Sequence, residues 1–191
     1  LEYYNKNADN FAKTTINVDF YETQNRFSTL LPEHGYILDF GCGSGRDTKY
    51  FLEQGFYVDA TDGSEEMCHI ASNYTGIQVR RLLFEELDEN KKYDGIWACS
   101  SILHLPKNEL KAVFMKMLKA LKEDGIIYTS FKYGDFEGER NGRYFTDFTE
   151  KTFEEFVDEI DNLQLKEEWI TGDVRPGRGE EKWLNVILQK N

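Results

Sequence analysis

The segment Ile37-Leu-Asp-Phe-Gly-Cys-Gly-Ser-Gly-Arg-Asp47 places Gly41, Gly43 and Gly45 between an apolar run and a helix-like one. At a strand-to-helix turn, missing Cβ atoms let the backbone approach a ligand while helix N–H groups point outward. A dinucleotide fingerprint would need glycine at position 46, where Arg46 stands, and no Gly-Lys-Ser/Thr of a phosphate loop follows. The turn is not built for pyrophosphate. Asp39, just before the glycines, would repel a phosphate and attract an ammonium; its plainer role is to cap the glycine loop. About 20 residues on, the run Val58-Asp-Ala-Thr-Asp62 ends on a carboxylate placed like those that hold a ribose diol. Asp62 could instead cap the next helix, but Ser64 is better placed for that. The ligand so described has a ribose and a cationic amino group, and no phosphate.

The elements that must position these residues alternate. Tyr36–Phe40, Phe56–Thr61, Ile77–Arg81, Tyr93–Cys99 and Gly125–Phe131 read as strands. Asp47–Gln54, Glu65–Asn73 and Lys107–Lys122 between them read as helices. The last of these carries Leu110, Val113, Phe114, Met117, Leu118 and Leu121 at core spacing. Such alternation with short connections predicts an α/β fold, a doubly wound parallel sheet with helices on both faces. Lys132–Asp147 reads as a polar, glycine-rich stretch. A helix, Glu150–Ile160, and two strands, Leu163–Thr171 and Lys182–Gln189, finish the chain, the pair joined by Gly172–Glu181 as an antiparallel hairpin. Spaced apolar residues (Phe20, Phe27, Leu30, Leu31) predict helix before the first strand.

Composition narrows the class. The chain has 191 residues, 40% of them hydrophobic, and a net charge of −12. One domain of this size buries roughly 70% of its unfolded surface without staples. So acidic a chain does not attract nucleic acid through its overall field. Cys42, Cys68 and Cys99 are odd in number without C-x-x-C spacing, and with His34, His69 and His104 they form no metal-ligand pattern. No run approaches a membrane span, the first residues do not read as a signal peptide, and a reducing cytoplasm is the expected location.

S-adenosylmethionine fits the ligand described by the glycine turn and Asp62, and the sequence resembles the class I S-adenosylmethionine-dependent methyltransferases. Within them it is similar to the small bacterial tellurite-resistance-type group, through Gly43-Ser-Gly-Arg-Asp47, Tyr4–Ala8–Phe11, Asp62-Gly-Ser64, Tyr93-Asp-Gly-Ile-Trp-Ala-Cys99 and His104. The resemblance implies a seven-stranded Rossmann-like sheet ordered 3-2-1-4-5-7-6 with the seventh strand antiparallel. It implies one domain over 1–191, in which 1–33 is a helical segment covering the site and 34–191 is the core. It further implies that Gly41 and Gly43 line the methionine part of the cofactor, Asp62 binds the ribose hydroxyls, Met67 lies against the adenine and the backbone at Cys99 meets the ammonium group. Cys42, Gly63 and Phe84 complete that shell. The third strand of the family usually ends on an Asp for the adenine amino group; Leu82-Leu-Phe-Glu85 departs from this, leaving Glu85 or backbone groups. Arg46 either holds the cofactor carboxylate or pairs with an acidic neighbour.

On the acceptor side, Cys99 stands where cytosine-C5 methyltransferases place a nucleophile, but Ala98 replaces their proline, so a structural thiol is expected. His104 is a general base, a hydrogen-bonded residue shaping the pocket, or an ordinary loop histidine. Topology brings Lys132–Asp147 and Gly172–Glu181 to one sheet edge, with Arg140, Arg143, Arg175, Arg178, Tyr133, Tyr144 and Trp183. Arg143 and at least one of Arg175 and Arg178 are expected to grip a small-molecule acceptor that carries negative charge or planar polar groups. The alternatives are an RNA (tRNA) methyltransferase, favoured by those arginines and opposed by the net charge, and a cofactor-binding module without activity. A monomer or homodimer is expected, with no membrane partner.

Overall fold

The structure is a computed structural model describing residues 2–175 and 177–191, the side chains of residues 2–4 aside. The side chain of Tyr4, named in the resemblance above, thus lies outside the described residues.

Two helices, α1 (Glu2–Thr15) and α2 (Tyr21–Ser28), precede the alternating core of β1 (Tyr36–Phe40), α3 (Arg46–Glu53), β2 (Tyr57–Asp62), α4 (Glu65–Thr75), β3 (Arg80–Arg81), β4 (Tyr93–Ala98), α5 (Lys107–Ala120) and β5 (Leu121–Lys132). Then come β6 (Glu137–Arg140), β7 (Arg143–Thr146), α6 (Glu150–Val157), β8 (Leu163–Gly172) and β9 (Lys182–Lys190). Seven strands form one sheet in the order β3-β2-β1-β4-β5-β9-β8. β9 runs antiparallel to both β5 and β8, and the other pairings are parallel. This is the expected Rossmann-like order; the numerals shift only because β6 and β7 intervene. No helix among the described residues is long and apolar enough to cross a membrane.

That pair corrects the reading of Lys132–Asp147 as an irregular stretch. Glu137↔Thr146 through Arg140↔Arg143 form an antiparallel ladder closed by a two-residue turn. Asn141 (φ 52°) and Gly142 (φ 74°) both take left-handed backbone, the requirement of the hairpin turn that matches strand twist. Asn-Gly between alternating residues was the signal in the sequence.

Two apolar layers clamp the sheet. On one face, Leu110, Phe114 and Met117 of α5 and Phe153 and Phe156 of α6 meet Ile96, Ile127, Phe131 and Leu184. On the other, Trp97 stacks on Tyr128 (4.0 Å, 23°) and takes the edges of Phe27 from α2 (5.2 Å) and Phe51 from α3 (5.1 Å). α2 comes this close because β4 has Gly95 beneath it. A Cβ there would stand 2.7 Å from Phe27 and 2.9 Å from Leu31. Gly95→Ala is therefore expected to lower unfolding free energy by about 1–3 kcal/mol through overpacking. Urea denaturation checks this, and an unchanged midpoint would mean that α2 does not rest on the sheet there.

Candidate functional site

The carboxyl ends of β1, β2, β4 and β5 open into one cavity of about 600 Å³. One end is lined by Gly41, Cys42, Gly43, Ser44, Asp62, Gly63, Met67, Leu82, Leu83, Phe84, Glu85 and Cys99, with Phe11 and Thr15 of α1 lying across it. Every expected cofactor residue except Asp39 is brought to this end, Arg46 included.

The glycine loop is shaped by β2 and by the loop after β4. Gly41 and Cys42 N–H both donate to the Thr61 carbonyl, and Gly43 N–H donates to Asp62 Oδ2 at 3.0 Å. A Cβ on Gly41 (φ 85°) would sit 2.5 Å from the Ser101 Cβ, so only glycine fits. At Gly43 the nearest protein atoms are Phe11 at 3.5 Å and Met67 at 4.0 Å, an open cradle that a side chain would fill. Asp62 Oδ1 takes the Ser64 N–H at 2.9 Å, while Ser64 itself caps α4 through the Met67 N–H. Burial raises the Asp62 carboxyl above its ordinary range, opposed by those backbone donors. A nearby diol would add donors to a carboxylate that is short of solvent.

Asp39 does not line the cavity. It is buried under the loop and accepts from Thr48 Oγ1 at 2.5 Å; burial and the neighbouring Asp47 carboxylate push its proton affinity up. Asp47 stays charged. Burial opposes this, but it is outweighed by Arg46 (2.8 and 3.0 Å), Trp97 Nε1 (2.9 Å) and Gln24 Nε2 (2.7 Å), which hold the carboxyl below its usual range. Arg46 thus has the acidic partner that sequence left as one of two options, while its guanidinium lies over Phe20 at 4.7 Å and still lines the cavity. Burial and Asp47 push the Cys99 thiol up to about 12, so no thiolate nucleophile stands there.

The other end is walled by the β6–β7 hairpin and the β8–β9 connection: Lys132, Arg140, Arg143, Phe145, Asp173, Arg175, Arg178, Glu181 and Trp183 line it. Arg175 pairs with Asp173 and Lys132 with Glu181. Asp173 also accepts from Trp183 Nε1 at 3.1 Å; against burial, Arg175 and this bond take its carboxyl down to about 2. Tyr133 and Tyr144 turn away, their hydroxyls on Glu150 (2.8 Å) and Glu137 (3.2 Å). His104 Nδ1 is 2.7 Å from the Tyr144 carbonyl, so that nitrogen carries the proton and Nε2 is the acceptor. Thr146 Oγ1 donates to the Leu105 carbonyl at 2.7 Å, a second tie between hairpin and β4–α5 loop. Burial and the Arg143 charge lower His104 to about 4.

Residues 37–125 match a family described as a methyltransferase domain. They hold the glycine loop, Asp62 and the end of β4, which the cavity unites around a cradle suited to S-adenosylmethionine. This segment is thus similar in sequence to methyltransferase domains, the match spanning just under half of the chain. A candidate methyltransferase of Bacillus subtilis, YqeM, is 33% identical over 116 residues, covering 55% of this chain and 47% of its own length, so the match spans about half of that relative. The fold is shared with Burkholderia thailandensis 1,6-didemethyltoxoflavin-N1-methyltransferase, whose structure holds its acceptor and S-adenosylhomocysteine (TM-score 0.78, 24% identity, covering 100% of this chain and 84% of that one). It is shared too with a TehB-like S-adenosylmethionine-dependent methyltransferase of Corynebacterium glutamicum (TM-score 0.69, 21% identity, 100% and 97% covered).

If the cradle holds S-adenosylmethionine, Asp62→Ala should weaken S-adenosylhomocysteine binding by about 2–4 kcal/mol, two charge-assisted bonds to a diol. Calorimetry showing less than a threefold loss would reduce Asp62 to a loop brace. A pH effect follows from His104. Its folded value of about 4 lies below the ordinary 6.5, so the stability it lends is full above about pH 6.5 and lost as pH falls toward 4. The loss is on the order of 2–3 kcal/mol. His104→Gln should flatten the stability profile across that window; parallel profiles would place His104 in a more solvated setting.

Proposed function

We propose that this protein transfers the methyl group of S-adenosylmethionine to a small-molecule acceptor held at the basic end of the cavity. The observation that carries the reading is the continuity of the two ends. The cofactor cradle opens directly onto a pocket lined by four arginines, of which Arg140 and Arg175 are paired with the buried carboxylates of Asp147 and Asp173. Phosphate tracking by RNA-binding proteins uses the opposite arrangement, exposed cations along a face. The relative whose structure carries 1,6-didemethyltoxoflavin takes a small molecule, in keeping with this reading.

When bound, S-adenosylmethionine supplies a methyl group on a sulfonium leaving group. The chain's own contribution is alignment and exclusion of water. Gly41 and Gly43 let the cofactor approach the loop backbone, Asp62 and Met67 fix its nucleoside half, and Phe11 and Thr15 cover it. Residues 1–33 serve in this reading as the helical cover and 34–191 as the core. His104 acts as a positioning residue: its Nδ1–H holds the hairpin strand β7 by the Tyr144 carbonyl. With proton affinity as low as that of a carboxylate, it is a poor carrier of an acceptor's proton at neutral pH. Arg143 meets the acceptor.

The test is transfer of labelled methyl into an extract divided into small-molecule, RNA and protein fractions. Label should enter the small-molecule fraction, with little dependence on salt. Label in RNA, with turnover falling steeply as salt rises, would establish the RNA reading. Against an identified acceptor, Arg143→Ala should keep S-adenosylhomocysteine affinity within about twofold and lower kcat/KM by about tenfold or more.

A further inference from the structure

The acceptor end differs in charge from the rest of the molecule. Five cations (Lys132, Arg140, Arg143, Arg175 and Arg178) line it. Three carboxylates pair with them: Glu181 with Lys132, Asp173 with Arg175, and Asp147, behind the wall, with Arg140. This leaves an excess of positive charge in a chain of net charge −12. Burial first, and then the charges of Arg175, Arg178 and Arg140, lower the Lys132 ammonium below its ordinary value against the pull of Asp173. Crowding like charges in a half-buried pocket is unfavourable unless an anion is to be received there.

One of these cations, Arg140, is held between two aromatic rings and a carboxylate. Phe136, Gly138, Arg140, Arg143 and Phe145 share one face of the hairpin by alternation. Gly138 leaves room for the Phe136 ring, which a Cβ would meet at 3.3 Å. The Arg140 guanidinium carbon therefore lies 4.4 Å from the Phe136 ring centre and 4.6 Å from that of Phe145, with Nη2 bonded to Asp147 Oδ1 at 2.5 Å. Its Nε is buried without a hydrogen-bond partner among the described residues. Two aromatic contacts and the bond to buried Asp147 together set this side chain's orientation. About a third of it (36%) remains open, where it lines the cavity. A planar fork held this way suits the coplanar edge of a delocalised oxyanion, and less so a tetrahedral or neutral group.

Building on the small-molecule reading above, we propose that the acceptor is a small planar acid bound as its anion, and that Arg140 is the residue that recognises its charged edge. The proton leaves to solvent before or upon binding, since the pocket's charge favours the ionised form. A lone pair elsewhere on the conjugated acceptor then forms the bond to the methyl carbon while the carbon–sulfur bond breaks and its pair stays on sulfur. Anion and sulfonium become two neutral products, and no base takes part. The atom methylated is not the one gripped by Arg140, because an oxyanion held by a guanidinium is a weaker nucleophile.

The experiment is calorimetry on the protein saturated with S-adenosylhomocysteine, using benzoate against benzamide and picolinate against picolinamide as matched probes. Each carboxylate should bind at least tenfold more tightly than its amide. Arg140→Gln should reduce that preference below about twofold with S-adenosylhomocysteine affinity unchanged, and Arg140→Lys should restore only part of it. Should Arg140→Gln fail to fold, Phe136→Leu, at a ring 39% exposed, should weaken the preference by loosening the fork. Amides binding as well as carboxylates, no carboxylate binding at all, or full preference in these variants would overturn the proposal. Failure of the unmodified protein to bind S-adenosylhomocysteine would instead strike the methyltransferase reading itself.

Discussion

A single buried carboxylate holds the working parts of this molecule together. Asp47, in the first turn of α3, receives the guanidinium of its neighbour Arg46, the amide of Gln24 on α2 and the indole N–H of Trp97 on β4. The glycine loop enters α3 immediately before it, so the loop's exit, helix α2 and the central strand are referred to one point. A buried ion pair adds little net stability, because desolvation consumes most of the Coulombic gain. Its value here is positional. Breaking one partner would leave a charge in an apolar layer made of Phe27, Phe51, Trp97 and Tyr128.

Asp39 shows how the same constraint spreads. Two carboxylates lie close together under the loop, with the Arg46 guanidinium bonded to Asp47, and they cannot both be charged at small cost. Arg46, Gln24 and Trp97 favour ionisation of Asp47, while Asp39 is left with Thr48. The acid that looks from its position like a cofactor ligand is therefore a brace. Asp62, one strand over, bonds the loop's Gly43 N–H and still reaches the cavity.

The basic end of the cavity is assembled differently. Its wall is a hairpin of four-residue strands that forms a sheet of its own, with Phe145 packed into the core on the α5–α6 side. It depends on ties from outside itself, from His104 and Leu105 after β4 and from Lys107 N–H to Glu137 at the start of α5. The glycine-loop end and the hairpin end of the cavity thereby share the β4–α5 loop, whose Ser100, Ser101, Leu103, His104 and Leu105 line it.

The cofactor half was legible from sequence because it is local. The glycine spacing, the carboxylate ending β2 and strand–helix periodicity each act within a few residues, and their physical meaning survives without knowing the neighbours. The sheet order followed from the same alternation and the family resemblance. What the chain alone left open was every question of pairing: whether Arg46 bonds Asp47 or a ligand, whether Asp39 faces the cavity, and which arginines are neutralised by which acids. Those answers depend on distances between residues 20 to 50 positions apart, as Gln24–Asp47 and Asp47–Trp97 show. The hairpin was within reach, since Asn141-Gly142 is a turn signal, but its charged residues hid the alternation. Only in three dimensions does Gly138 become space for a ring, and Arg140 a side chain held by Phe136, Phe145 and Asp147, because such contacts are a property of assembled strands and not of their order in the chain.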